Sequence, residues 1–260
     1  MARPLIHSVN NGEVSVSALA RVDQEKARLW AETQENILPF TIGKGMMRQG
    51  TTYLGDAATH ANRVREIAFV KSLTAQAGVE MSSALLRVWV SDALVTILSV
   101  TSTVTNGDFS STVGWTLSTS GDSVANINST VSGALWMAVP NRGGVSSCTR
   151  SVTTSSSGTQ HTLKIVVTRG PVTFRCGSTS GGDDYIEETT LETGTHFLSF
   201  TPTGTYHVFF STRREPGVVV DSIEVASAGV MSFTAPWTTD ELREIQHTQS
   251  ADIMYLAHDS

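Results

Sequence analysis

Two pairs of adjacent carboxylates, Asp183–Asp184 and Glu187–Glu188, are the residues here best spaced for acid–base chemistry. Two carboxyl groups held a few ångströms apart can protonate a leaving oxygen and activate water, as glycoside hydrolysis requires. The same spacing also describes an acidic loop leading into an edge strand, and no other converging set accompanies it. The sequence has no GxSxG elbow, HExxH helix, phosphate-cradling P-loop or zinc-deaminase spacing. The expectation is therefore a protein with no enzymatic role and no cofactor.

The remaining reactive side chains are dispersed. His7, His60, His161, His196, His207, His247 and His258 show no ligand spacing and read as structural or surface groups. Cys148 and Cys176 lack a CxxC-type metal pattern. They fall in strands that can face one another and would bond if exported; in a reducing compartment they are expected as two free buried thiols. Trp115, Trp136, Tyr185 and Tyr206 are candidates for stacking on sugar rings. Trp115, however, follows a glycine and precedes an alternating strand, as a core tryptophan would. Phe109, Phe197, Phe200 and Phe209 read as core on the same periodicity.

The elements that must position these groups are mostly strands. Of 260 residues, 40% are hydrophobic and only 16% charged, while Ser and Thr supply about a quarter. That balance, with 21 Gly against 7 Pro, predicts a mainly β protein with frequent turns. A formal charge of −6 disfavours a general nucleic-acid surface but leaves room for a local basic patch. No run approaches the 18 or so apolar residues that a membrane-spanning helix needs, and the opening MARPLIHSVNNGEVS carries no apolar core of signal-peptide type.

Three segments differ in character. Within 1–99, residues 17–35 (SALARVDQEKARLWAETQE) lack Gly and Pro and can form one helical apolar stripe. Strands are expected at 64–73, 84–90 and 93–98, joined by a looser TAQAGVEMSS. Residues 100–228 hold ten short strand candidates at near-regular spacing: 113–118, 124–128, 134–139, 145–153, 161–168, 171–176, 184–190, 195–200, 204–211 and 217–225. Many short, evenly spaced strands predict an all-β sandwich. THFLSF and TYHVFFS flank TPTG in the manner of a hairpin. In 229–260, VMSFTAPW reads as a strand into a turn, TTDELREIQHTQS as a capped helix and ADIMYLAH as a strand. The expected architecture is a β-rich domain formed by 1–99 plus 229–260, with few short helices, interrupted by a β-sandwich over 100–228.

Several phrases resemble a known family. Gly12–Glu13, Arg21–Val22–Asp23, Asn36 and Arg48 with Gly50–Thr51 follow one another as in the tail hub or nozzle (tail tubular) proteins of short-tailed bacteriophages. REIAFV, LLRVWV and FTAPWTTDELREIQHTQSADIMYLAH continue that order, so the likeness covers about half of the chain. Family members are usually much longer, and this chain has Gln49 where a basic residue or Pro is common; a fragment, a split gene or a short relative would each fit. In 106–118 and 218–225, NGDFSSTVGWTLS and VVVDSIEV resemble the first and last strands of jelly rolls related to carbohydrate-binding modules.

The first resemblance implies a structural virion protein of the tail, in a homo-oligomeric ring, sixfold if the family's symmetry applies. Such a ring would meet portal or adaptor proteins and surround the DNA exit channel. Arg21, Asp23, Asn36 and Arg48 are the assembly-interface candidates, since Arg–carboxylate pairs give directional contacts. Arg63, Arg65, Lys71 and Arg87 are candidates to line the channel. The second resemblance implies a possible structural calcium at Asp108 and Asp221, although Ser110 replaces a frequent acidic ligand. Two alternatives remain: a carbohydrate- or receptor-binding virion module, and a polysaccharide-degrading tail enzyme.

Overall fold

Period-two alternation, not helical periodicity, governs nearly every described element. The structure, a computed structural model, describes residues 11–19, 23, 29–40, 45–58, 61–128, 131–140 and 143–259. The chain divides after Leu54 into two compact units.

In the first unit a short helix, α1 (Val16–Leu19), is followed by the antiparallel strands β1 (Ile37–Pro39) and β2 (Gly45–Met47). The helix expected over 17–35 does not continue through its end. Ala31 forms a parallel bridge with Glu13, and its N–H donates to the Gly12 carbonyl at 3.1 Å. The Glu13 carboxylate accepts the Gln34 N–H at 2.9 Å.

The second unit begins with β3 (Arg65–Val70), β4 (Gln76–Ser82), β5 (Leu85–Val90), β6 (Ala93–Leu94) and β7 (Thr96–Ile97). The sandwich strands follow: β8 (Thr116–Ser120), β9 (Val124–Ile127), β10 (Leu135–Ala138), β11 (Val145–Val152) and β12 (His161–Arg169). Then come β13 (Val172–Gly177), β14 (Ile186–Leu191), β15 (Gly194–Phe200), β16 (Tyr206–Thr212) and β17 (Val218–Val225). The chain closes with β18 (Gly229–Val230), β19 (Ser232–Thr234), β20 (Gln246–Ser250) and β21 (Ile253–Ala257).

One sheet of the sandwich has the order β15-β12-β17-β10-β9 and the other β14-β13-β16-β11-β8. Their inner faces enclose Leu163, Ile165, Val220 and Ile223 from one side, and Phe174, Val208 and Phe210 from the other. The expected 195–211 hairpin is corrected: β15 pairs with β12, β16 pairs with β11 and β13, and TPTG crosses between sheets. At the sandwich entrance the NGDF phrase sits against β17. A Cβ on Gly107 would lie 1.9 Å from the Ile223 carbonyl oxygen, and the Ile223 N–H donates to the Gly107 carbonyl at 2.8 Å. Only glycine allows that approach.

Strands before and after the sandwich pair with each other, β7 with β18 and β5 with β19, so the chain leaves and rejoins one framework. The QHTQS stretch expected in a helix is β20, paired with β21, and helical backbone there shrinks to a 3₁₀ turn at Glu241–Arg243. The Thr238 N–H and hydroxyl both donate to the Glu241 carboxylate at 2.7 Å. The loose TAQAGVEMSS connection is also corrected, since Gln76–Ser82 forms a full strand between β3 and β5. No helix among the described residues is long and apolar enough to cross a membrane.

The two cysteines do not oppose each other. Cys148 on β11 and Cys176 on β13 flank β16 in one sheet, in register with Phe210 and Val208. Two strand spacings alone put them about 9–10 Å apart across the sheet, and the two-residue offset along β16 adds to that, beyond disulfide reach. Both are free and buried, and burial pushes each thiol up to about 12. Disulfide-exchange reagent at pH 8 is expected to titrate neither thiol in the native protein and two in denaturant. Rapid native labelling would contradict the packing of this sheet.

Candidate functional site

Strands β14, β13, β16 and β11 turn one row of side chains into the core and the next row to solvent. Because Tyr206, Val208 and Phe210 of β16 point inward, His207, Phe209 and Ser211 must point outward. The registers Thr173↔Thr190, Thr173↔Ser211 and Ser147↔Ser211 line hydroxyls across the sheet. The next row joins Arg175 to Phe209 and Phe209 to Thr149. A groove of about 350 Å³ lies over these rows, with Pro171 and Arg213 also at its wall.

One stack dominates the groove. The Arg175 guanidinium lies over the Phe209 ring, 4.3 Å from its centroid. The same guanidinium pairs with Glu188 at 3.3 Å, which fixes its plane. A flat amphipathic platform bordered by hydroxyls can take a pyranose ring: its C–H face packs on the platform and its hydroxyls meet Ser, Thr and Arg. Sequence reasoning placed Phe209 in the core and is corrected here; the phase of alternation is set by Phe210. Adjacent aromatics in a strand must face opposite sides, which is the signal that identifies one of them as outward-facing.

The four sugar-stacking candidates do not gather on this face. Tyr206 is fully buried, and Trp115 packs 4.8 Å from Phe109 while its Nε1–H donates to the Asn106 carbonyl at 2.9 Å. Trp136 alternates with the inward Leu135 and Met137 on the opposite sheet. The Tyr185 hydroxyl is hydrogen-bonded with that of Thr203 at 2.9 Å, and its ring packs against Phe200. Phe109 and Phe200 are core as expected, whereas Phe197 is half-buried and meets Phe233 edge-on at 5.0 Å.

The basic candidates have other duties. Arg65 Nη1 donates to the carbonyls of Leu242 and Ile245 at 2.8 and 2.7 Å, which ties β3 to the 3₁₀ turn. Lys71 pairs with Asp252 at 2.8 Å. Arg87 faces Glu80 across β4 and β5, donating to both carboxylate oxygens at 2.8 Å and to the Asp56 carbonyl at 2.8 Å. Each of these three therefore has an internal partner. Arg63 is exposed beside a second cleft formed with Val64, Thr239 and Arg243. Burial opposes ionisation of Glu80. Hydrogen bonds from Arg87, the Ala58 N–H and the Trp89 indole nevertheless hold its carboxyl below the ordinary value of 4.5.

Among the assembly candidates, Arg21 lies outside the described residues. Asp23 is exposed in a turn. Asn36 takes a left-handed φ of 57°, and its carbonyl accepts the Arg48 N–H at 2.6 Å, so these two positions meet through the backbone. The Asp108 carboxylate is occupied by the N–H and hydroxyl of Ser110 at 3.3 and 3.0 Å. Asp221 is exposed at the irregularity where β17 shifts register against β12. Among the described residues no three His, Cys, Asp or Glu converge. His161 is buried with Nδ1 against the Thr159 carbonyl at 2.8 Å and Nε2 against the Ser102 hydroxyl at 2.7 Å, as a structural histidine.

No protein-family model and no curated protein matches this chain. Solved structures that match part of this chain include the enzymatically active domain of tailspike protein 4 of bacteriophage CBA120. It is 15% identical at a TM-score of 0.35, and the match covers 48% of this chain and 21% of that one. A family 11 carbohydrate-binding module of a cellulosomal cellulase from Clostridium thermocellum is 11% identical at a TM-score of 0.32, covering 50% of this chain and 97% of the module. An exo-β-1,3-galactanase from Phanerochaete chrysosporium is 16% identical at 0.28, covering 42% and 27%. These likenesses assign no ligand and no reaction to the chain. They do correct one expectation: enzyme chains stand among the matches, so the reading of a protein with no enzymatic role is withdrawn.

Proposed function

We propose that this chain is a virion-associated glycan-binding protein, and that the outer face of the β14-β13-β16-β11-β8 sheet holds polysaccharide. The observation that carries this reading is the Arg175–Phe209 stack beside the hydroxyls of Thr173, Thr190, Ser211 and Thr212 in one groove. Phe209 is half-buried, with the Arg175 guanidinium over its ring. An outward aromatic braced by an ion-paired guanidinium and bordered by donors is suited to a ring with one apolar and one polar aspect. Affinity electrophoresis through gels containing polysaccharide tests this. The wild-type protein is expected to be retarded by at least one surface polysaccharide, and Phe209→Ala to migrate freely with an unchanged fold. Equal retardation of both proteins would place binding elsewhere.

A second reading, the tail hub or nozzle, is favoured by the pairing of β5 and β7 with β19 and β18, which joins 65–97 and 229–234 in one framework around the sandwich. In that reading 1–99 and 229–260 assemble a homo-oligomeric ring in the tail and 100–228 projects from it. Arg21, Asp23, Asn36 and Arg48 would lie at protomer contacts, and a ring below the portal in particle images would support the reading.

A further inference from the structure

The groove is electropositive in a protein whose formal charge is −6. Arg175, Arg213 and Arg214 line it against the single carboxylate of Glu188, which is already paired with Arg175. Glu187 and Glu215 are exposed neighbours in sequence but do not line the groove. Arg213 and Arg214 follow β16, on backbone that is held on both sides. The Arg214 N–H donates to the Thr212 hydroxyl at 3.2 Å, and its carbonyl accepts the Val139 N–H at 3.0 Å. Among the described residues neither guanidinium enters an ion pair. Two forked donors thus stand at the end of the platform, unneutralised and on fixed main chain.

We infer that the groove selects acidic polysaccharides, those carrying uronic-acid carboxylates, over neutral ones. This rests on the glycan-binding reading of the same face. A pyranose on the Arg175–Phe209 platform would direct a carboxylate of a neighbouring residue of the polymer toward Arg213 and Arg214. Arginine meets a carboxylate through two parallel N–H···O bonds, which a neutral hydroxymethyl group cannot reproduce. Neutral rings would keep the platform contact and lose the ionic one. The discrimination therefore belongs to Arg213 and Arg214, while binding itself belongs to Phe209.

The test uses the full chain with polygalacturonate, alginate and hyaluronan, each compared with its own carboxyl-reduced form, in which the acid has become a primary alcohol. At least one acidic polymer is expected to bind about tenfold or more tightly than its reduced form, with the difference shrinking as salt is raised. The double variant R213A/R214A should bind the acid only as well as the reduced polymer and keep affinity for the latter. R213K/R214K, with charge but no fork, should recover only part of the difference. If acid and reduced forms bind equally, the inference fails and the glycan-binding reading stands. Discrimination that survives in R213A/R214A overturns the assignment to these arginines. If no polymer of either kind binds, the glycan-binding reading fails and the inference goes with it.

Discussion

Replacing Glu80 with Ala is expected to lower the free energy of unfolding by about 3–5 kcal/mol, the penalty for orphaning one partner of a buried ion pair. Glu80 and Arg87 have side chains only 7% and 12% exposed, and the carboxylate also accepts the Trp89 indole N–H at 2.8 Å and the Ala58 N–H at 3.0 Å. Removing it strands two neutral donors and a cation at once. Replacing both members, as in E80M/R87M, removes the orphaned charge and should restore much of the loss; a double-mutant cycle by urea denaturation reads the coupling. Additive losses would show that the pair is not a unit.

The same carboxylate gives a pH signature. Its folded value is depressed below the ordinary 4.5, so the folded state holds fewer protons than the unfolded state where the two values differ. Stability from this group is fully present above about 4.5 and is lost as pH falls through the lower folded value. Wild-type protein should therefore lose stability steeply in that acidic window, and E80M/R87M should show a shallower slope there. Identical slopes would remove Glu80 as the source.

Glu80 also explains one limit of the sequence. QAGVEMS reads as a loop because a glutamate interrupts its apolar pattern, yet the glutamate is buried by partners seven and nine residues further on. Polarity alone cannot reveal burial that depends on a cross-strand arginine. The sandwich strands were legible because their alternation is local: HTLKIVVTR and VVVDSIEV carry their inward residues in their own composition. Pairing was less legible. TPTG has the length of a hairpin turn, but whether two strands share a sheet is decided by which neighbours each one finds, and β15 and β16 find different ones. The site was least legible, because Arg175, Phe209 and Glu188 come from three strands and meet only through register.

Phe209 and Phe210 turn that last point into an experiment. They are consecutive and chemically identical, and they face opposite sides of β16. Phe210 is fully buried, 5.0 Å from Phe174 and 6.4 Å from Phe109. Phe210→Ala leaves a cavity between the sheets and is expected to destabilise by about 3–5 kcal/mol. Phe209→Ala opens no interior cavity and gives up the stack with Arg175, so its stability cost should stay near about 0.5–1 kcal/mol. Binding reverses the order. In conditions where both variants remain folded, polysaccharide should still retard Phe210→Ala, whereas Phe209→Ala should lose the interaction. Urea midpoints and gel mobilities measured on the same two proteins separate the roles. Equal destabilisation would put Phe209 in the core after all. Stability effects in the expected order, with binding intact in both variants, would leave the fold as described and move the glycan off this face.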